Sequence, residues 1–472
     1  MIDNKTSLVR GLSLLAAVSI VIGNVIGTGV FLKARVMTCN VGTPKMVLLV
    51  YVVAGLLSLA GALTYAELAA MMPRAGGEYV FIREAYGPRW AFLYGWMSFF
   101  IGKAGSQAAL GVGFAIFLNV LLAGRLGGQY FSANLFGYQI PFGNLQLVAL
   151  AAIVFVTLIN CLAVKVSGGV AAFLTGIKIA LVLLVGLGAF LFARGADWSH
   201  FMMTNVGGAC ENVAASARAG FAGFGAAMLG ALWAYDGWNN VTLVAGEVKD
   251  PHRNLPRALI GGMLVVAGLY IFVNLAYFYV LSPTDIASVS ASSSVATEVA
   301  KTFLGPIAVG LIAAALLSST FGTLHTSILT GARVPYAMAQ DQLFFRKLSN
   351  VSPRTHVPIG ALIAQAIWAC ILTLSGSFDA LTDYAIFGLW IFYALVTASV
   401  FVFRKRMPDL ERPYRTWGYP VVPILFLIVA GLLLVNTVVT TPRQAITGVG
   451  LIALGLPVYW YWARHNQRTA DD

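Results

Sequence analysis

Charged side chains are scarce in this sequence. They make up 10% of its 472 residues, whereas hydrophobic residues make up 59% and the mean hydropathy is +0.82. Soluble domains carry about 25% charged residues, so the composition excludes an ordinary soluble protein. Because the apolar segments recur along the whole chain, we expect residues 1–472 to form one integral membrane domain rather than a soluble domain with an anchor.

Metal ligands and nucleotide-binding loops are also missing. The five histidines are scattered without the spacing of metal ligands, and no glycine-rich loop of the Walker type is present. Two of the four cysteines, Cys39 and Cys210, can form one disulfide at most, and the other two fall in apolar segments. The sequence therefore predicts no metal ion and no cofactor. It also argues against an enzyme, because no credible set of catalytic nucleophiles is present.

The apolar segments predict twelve membrane-spanning helices, with approximate limits 12–37, 46–72, 89–121, 144–164, 170–193, 220–247, 257–281, 303–333, 357–376, 380–403, 419–439 and 445–464. With both termini cytoplasmic, 20 of the 30 lysines and arginines fall on the cytoplasmic side and 8 on the other. Membrane proteins show this bias, so the net charge of +12 needs no nucleic-acid partner. We expect a multi-pass protein of the plasma membrane, which in a bacterium is the inner membrane.

Two of the predicted spans carry helix-breaking clusters at their centres. The first contains GNVIGTGV at 23–30, and the sixth contains WAYDGWNN at 233–240. Backbone groups freed in this way are costly in a membrane unless they bind a ligand or line a cavity. Because five spans separate the clusters, we expect inverted repeats over 12–193 and 220–403 whose breaks face each other, with 419–464 appended.

Several motifs resemble the amino acid–polyamine–organocation (APC) transporters: GNVIGTGVF at 23–31, ALTYAEL at 62–68 and PRAGGEY at 73–79. Others resemble the L-type amino acid transporters of that superfamily: AYDGWN at 234–239, EVKDPHRNLP at 247–256, NLAYF at 274–278 and DLERPY at 409–414. The resemblance covers almost the whole chain. It implies an all-α membrane protein with twelve helices in a five-plus-five inverted repeat, discontinuous first and sixth helices, and an amino acid substrate.

The two clusters suit an amino acid zwitterion, which needs an anion-binding group beside a cation-binding group. A half-helix that starts near Thr28 and Gly29 would supply unpaired N–H groups and a positive dipole end to the carboxylate. Carbonyl groups at Val25, Trp233 and Asp236 would face the ammonium. Alternatively, the glycines only permit close helix packing. The resemblance implies substrate contacts at Val25, Ile26, Gly27, Thr28, Gly29, Trp233, Ala234, Asp236 and Asn239.

Two of these residues have open roles. The resemblance places an aromatic gate over the substrate at Trp233, and the alternative is an aromatic residue packed in the core. Asp236 either meets a cationic substrate side chain or caps the broken helix by accepting backbone N–H bonds.

Lys178 is a cation within the fifth span, where an ammonium must snorkel or find polar partners. The resemblance places it beside the first cluster, where related transporters hold Na⁺. It would then bind carbonyls of the first span and a hydroxyl of the eighth span, from Ser318, Ser319 or Thr320. This interpretation predicts sodium-independent transport, and its alternative is an ion pair without a transport role.

Four other charged residues are interpreted as structural. Lys103 lies within the third span, where the resemblance implies a basic residue in a member that takes acidic substrates and also in other members. Glu67, and Glu247 with Asp250, border the cytoplasm, where we expect them to pair with Arg74 or Arg253 rather than to bind substrate.

Together these features predict a secondary transporter that exchanges L-amino acids, neutral and also cationic ones if Asp236 faces the substrate. A proton-coupled symporter, with Lys178 as the titrating group, is the alternative within transport. A membrane sensor is a third option, but the chain offers no soluble output domain. The loop at 124–144 has no cysteine, whereas relatives that bind a heavy subunit carry one there, so we expect no disulfide-linked partner.

Overall fold

The computed structural model of the chain describes residues 7–135, 138–290, 293–375, 378–440 and 442–471. The helices of the first half are α1 Leu14–Val25, α2 Gly29–Val41, α3 Pro44–Met71, α4 Glu78–Tyr86, α5 Pro88–Met97, α6 Ala104–Leu121, α7 Asn144–Asn160, α8 Val164–Phe192 and α9 Gly220–Ala234. Those of the second half are α10 Pro251–Val280, α11 Pro283–Ser288, α12 Val295–Leu304, α13 Ile307–Gly331, α14 Arg333–Gln340, α15 Ile359–Ser375, α16 Phe378–Arg406, α17 Val421–Thr440, α18 Pro442–Ala453 and α19 Gly455–Asp471. The predicted location of the two termini concerns residues 1–6 and 472, which lie outside the described residues.

Shorter helical segments join these elements. A π-helical turn at Ser98–Lys103 connects α5 to α6, and a 3₁₀ segment at Trp238–Glu247, here called the inner segment, follows α9. Further 3₁₀ turns occupy Trp198–Met202, Ala215–Ala217 and Arg346–Ser349.

The structure shows a multi-pass helical protein. Among the described residues, nine helical stretches are long and apolar enough to cross a membrane. Of the twelve predicted spans, the fourth and ninth correspond to the shorter apolar helices α7 and α15, and the sixth is divided between α9 and the inner segment.

One segment departs from the expected all-helical architecture. Strands β1 (Gln129–Leu135) and β2 (Tyr138–Gly143) pair antiparallel between α6 and α7. Aromatic residues favour strands, and the glycines at both ends of the segment favour turns. This ribbon lies outside the predicted spans, so the correction concerns a loop and leaves the helical core unchanged.

Both predicted interruptions are real breaks in helices. Residues Ile26–Thr28 separate α1 from α2 and form the first break. Residues Tyr235–Gly237 separate α9 from the inner segment and form the second break. Gly237 adopts a φ of +99°, which residues with a Cβ rarely tolerate. Helix geometry therefore ends where the sequence places its glycines.

The hydrophobic core surrounds these breaks. Helix α10 packs along α3, α1 and α8, and α13 packs along α6, α8 and α1. The inner segment lies against α1 and α10. The discontinuous elements are thus held at the centre of the bundle.

A disulfide joins Cys39 near the end of α2 to Cys210 in the loop before α9, the single bridge that the sequence allowed for. Hydrogen bonds reinforce the connection: the Asn40 side chain donates to the Ala217 carbonyl at 2.6 Å, and the Ala219 amide donates to the Asn40 carbonyl at 2.7 Å. Helix α2 is therefore linked, by the disulfide and by these hydrogen bonds, to the loop that precedes α9.

Candidate functional site

The two breaks are in contact with each other. A Cβ placed on Gly29 would lie 2.9 Å from the Cβ of Ala234, and one placed on Gly237 would lie 3.1 Å from the Cβ of Asn24. Both distances are shorter than ordinary van der Waals contacts, so neither glycine leaves room for a side chain. The expectation that the breaks face each other is confirmed.

Tyr270 of α10 connects the two breaks. Its buried hydroxyl lies 2.9 Å from the Val25 carbonyl and 2.9 Å from the Ala234 carbonyl. A hydroxyl has one proton, so it donates to only one of these carbonyls at a time. The sequence reasoning missed this residue, because a tyrosine in an apolar span reads as part of the core.

The glycines of the first cluster have different roles. A Cβ on Gly23 would lie 2.6 Å from the Thr175 hydroxyl, so this position permits close packing of α1 on α8. Gly29 likewise packs on Ala234. The Cβ direction of Gly27, in contrast, meets only the Val25 carbonyl, at 4.0 Å. The packing interpretation therefore applies to Gly23 and Gly29, while Gly27 offers an open approach to the backbone.

Helix α2 begins at the first break without a side-chain cap. The N–H groups in the first turn of a helix have no intrahelical acceptor. Gly27 and Thr28 are half-buried here, whereas Val25 and Ile26 just before them are buried. The uncapped helix end therefore lies beside accessible space.

Trp233 is 39% exposed, which excludes a packed core position for its ring in this conformation. The ammonium of Lys33 lies 4.6 Å from the centre of that ring, a cation–π contact. Asp236 is half-buried, and one of its carboxylate oxygens accepts a hydrogen bond from the Tyr393 hydroxyl at 2.9 Å. Asp236 lies within the second break, and Trp233 lies just before it.

Lys178 binds where the sequence reasoning expected it. Its ammonium donates to the carbonyls of Gly23 at 2.6 Å and Ile26 at 2.8 Å, and to the Thr323 hydroxyl at 2.7 Å. These contacts use all three of its N–H donors. The hydroxyl comes from Thr323 rather than from the three residues proposed, because Thr323 lies one helical turn beyond Ser319 on the same face of α13. Ser319 itself donates to the Ile26 carbonyl at 3.1 Å.

Asn239 and Asn240 follow the second break, near the start of the inner segment, and are buried. The Asn239 side chain donates to the Glu78 carboxylate at 2.8 Å, and its own side-chain oxygen has no partner among the described residues. The side-chain oxygen of Asn240 accepts a hydrogen bond from the Lys103 ammonium. Lys103 and Glu78 are therefore part of the surroundings of the site.

A buried ion pair lies at the far end of the inner segment, and a second ion pair joins α3 to α16. Glu247 binds Arg333 through two contacts of 2.7 and 2.9 Å, and both side chains are fully buried. Glu67 binds Arg404 at 2.8 and 3.0 Å. Both carboxylates pair with an arginine, as predicted, but Arg74 and Arg253 were the wrong partners. The arginines they bind lie far along the chain and reach them only through helix packing.

A model of the amino acid permease family matches residues 12–462, a range that includes both breaks and every predicted contact residue. The chain belongs to this family. The permease is thus a multi-pass membrane transporter of the APC superfamily and not an enzyme.

Individual relatives extend over the full length of the permease. It is 34% identical over 466 residues to the serine/threonine exchanger SteT of Bacillus subtilis, covering 98% of both chains. It is 29% identical to the b(0,+)-type amino acid transporter 1 of Mus musculus, covering 98% of this chain and 89% of that one. The large neutral amino acids transporter small subunit 2 of Homo sapiens is 28% identical, with 99% and 83% covered.

Proposed function

We propose that this permease exchanges L-amino acids across the membrane by alternating access, with the substrate bound between the two breaks. The observation that carries the proposal is the uncapped start of α2, which lies beside accessible space and in contact with the second break. The names of these relatives, which include an amino acid exchanger and two amino acid transporters, support it.

The first break suits the carboxylate of the substrate. Free N–H groups and the positive end of the α2 dipole would bind the anion at Thr28 and Gly29. The open space at Gly27 lets a carboxylate approach the main chain. These contacts read only the part that all amino acids share.

The ammonium of the substrate would lie toward Val25, Trp233 and Asp236. The Val25 carbonyl already accepts hydrogen bonds from the Gly27 amide at 2.8 Å and from Tyr270 at 2.9 Å. A carbonyl oxygen has two lone pairs, so an ammonium binds there only if Tyr270 donates to Ala234 instead. When substrate binds, the Tyr270 hydroxyl would thus switch its hydrogen bond from the Val25 carbonyl to the Ala234 carbonyl.

A sodium ion beside the first break would have to displace the Lys178 ammonium. The ammonium of Lys178 occupies the place between the break and α13 and is fully hydrogen-bonded there. This geometry supports sodium-independent transport. It also disfavours proton coupling through Lys178, because release of its proton would weaken three contacts at once.

The orientation proposed from the lysines and arginines agrees with the disulfide. Disulfides persist in oxidising compartments such as the bacterial periplasm. The Cys39–Cys210 bridge lies at the end of α2, on the side that the charge bias makes extracytoplasmic. We therefore propose that the protein lies in the inner membrane of a bacterium with both termini in the cytoplasm. We also interpret the fold as twelve spans with two inverted repeats.

The two remaining thiols, Cys161 and Cys370, lie in or beside helices, so no disulfide-linked heavy subunit is proposed.

Counterflow with the purified protein in liposomes tests the proposal. Vesicles loaded with unlabelled L-serine should accumulate external radiolabelled L-serine, and a panel of twenty internal amino acids should define the substrate range. Replacement of sodium by choline should leave the rate unchanged. Transport that ignores internal amino acids and collapses with the pH gradient would instead indicate a proton symporter, and binding without flux would indicate a sensor.

The variant Asp236→Asn separates the two roles of this carboxylate. If Asp236 binds cationic side chains, the inhibition constant of L-arginine against serine counterflow should rise about tenfold or more in the variant. The inhibition constant of L-alanine should stay the same. If Asp236 only braces the break with Tyr393, the variant should change both inhibitions equally. Inhibition constants for the two amino acids, measured side by side, distinguish these results.

A further inference from the structure

The inner segment begins with two asparagines that are held by opposite charges. Asn239 donates to the Glu78 carboxylate at 2.8 Å, and Asn240 accepts from the Lys103 ammonium. The two asparagines are only 1% and 6% exposed. We call Glu78 and Lys103, with the two amides between them, the charge bracket.

Both charged side chains come from elements outside the broken helix. Glu78 is the first residue of α4, which packs on α5 and α16, and Lys103 ends the π-helical turn that precedes α6. π-helical turns are rare and frequent at functional sites. Movement of the inner segment away from α4 and α6 would therefore break both contacts at once.

The surrounding residues hold the acid in place. The Glu78 carboxylate also accepts hydrogen bonds from the hydroxyls of Tyr65, at 2.9 Å, and Tyr94. The Lys103 ammonium in turn donates to the side-chain oxygen of Asn240. The bracket thus holds the beginning of the inner segment, directly after the second break, against α4 and the π-helical turn.

We propose that Glu78 and Lys103 are positioning residues that keep the inner segment closed when no substrate is bound. Opening the inner side separates the buried Glu78 carboxylate from Asn239 and the partly buried Lys103 ammonium from Asn240, and charges that lose partners away from water are costly. The empty carrier therefore reorients slowly, whereas the loaded carrier gains substrate contacts that offset the cost. This inference rests on the proposed function, because it explains why the protein would exchange amino acids rather than leak them.

The first experiment compares two fluxes from liposomes loaded with radiolabelled L-serine. Efflux is measured into medium with unlabelled L-serine and into medium without amino acids. In the variants Lys103→Met and Glu78→Gln, we expect the ratio of exchange to net efflux to fall about tenfold, because each loses a hydrogen bond from or to a charged group. Lys103→Arg keeps the charge and should keep the ratio. Lys301→Met, at an exposed lysine paired with Glu298, is the matched control.

The second experiment needs no transport. A cysteine replaces Thr242, a fully buried residue of the inner segment, in a background with Cys161 and Cys370 replaced by alanine. We expect Lys103→Met to increase labelling of this cysteine by a membrane-impermeant maleimide several-fold in inside-out vesicles, whereas Lys301→Met should not. Unchanged labelling and an unchanged flux ratio would overturn the bracket. If the parent protein shows no counterflow of serine or any other amino acid, but the variant still shows increased labelling, the proposed exchange activity is refuted and the bracket is not.

Discussion

Replacing Lys178 with methionine is expected to reduce amino acid exchange about a hundredfold or more, since each lost hydrogen bond to a charged group contributes about 1.5–3 kcal/mol. The ammonium is the donor that bridges the carbonyls of Gly23 and Ile26 to α13. Without it the first break loses its fixed geometry, and the start of α2 no longer meets the substrate correctly. Serine counterflow in liposomes measures the effect.

Two matched variants make this prediction specific. Ser319→Ala removes one neutral hydrogen bond to the Ile26 carbonyl and should cost about tenfold at most. Lys301→Met removes an exposed lysine and should have no effect. The Lys178 interpretation fails if its methionine variant elutes as a monodisperse protein and exchanges serine at the parent rate. It also fails if parent exchange requires a sodium gradient.

Replacing Arg333 with methionine is expected to destabilise the protein by about 3–5 kcal/mol, because the Glu247 carboxylate is left buried without its partner. Both side chains of this pair have no exposed surface. Glu247 also binds the segment just before α1, since its carbonyl accepts a hydrogen bond from the Leu12 amide at 2.9 Å. Thermal unfolding in detergent should show a markedly lower midpoint.

Removal of both charges provides the control. A double variant, Arg333→Met with Glu247→Leu, should regain much of the lost stability, because an apolar pair of similar volume replaces a buried ion pair at little cost. Arg404→Met should cost less than Arg333→Met, since Glu67 keeps the Thr416 amide at 2.6 Å and the Arg412 guanidinium at 3.5 Å. Equal losses for the two single arginine variants would contradict the role of full burial.

The sequence predicted the backbone of the site well. Both breaks, their mutual contact and the carbonyl contacts of Lys178 follow from residue types that are costly in a membrane unless they are used. A cluster of glycines, an amide or a lysine in the middle of a span can therefore be recognised as a candidate site residue from the sequence. Helix positions followed for the same reason, because long apolar runs have few other structures available in lipid.

The partners of side chains were harder to predict. Glu67 and Glu247 bind arginines more than 80 residues away in the sequence, a choice that depends on which helices pack together. Thr323 was missed because a register error of one helical turn exchanges one hydroxyl for another on the same face. The contacts of Tyr270 and Tyr393 were not predicted, because their partners belong to helices or breaks far away in the sequence.

The Cys39–Cys210 bridge also constrains how the protein is made. Its cysteines are 171 residues apart, and the second one leaves the ribosome only after four further predicted spans have been synthesised. The thiol of Cys39 therefore stays unpaired until the loop before α9 has been synthesised. In the proposed orientation this bond forms outside the cytoplasm, so we expect strains that lack a periplasmic thiol oxidant to accumulate an incompletely assembled form.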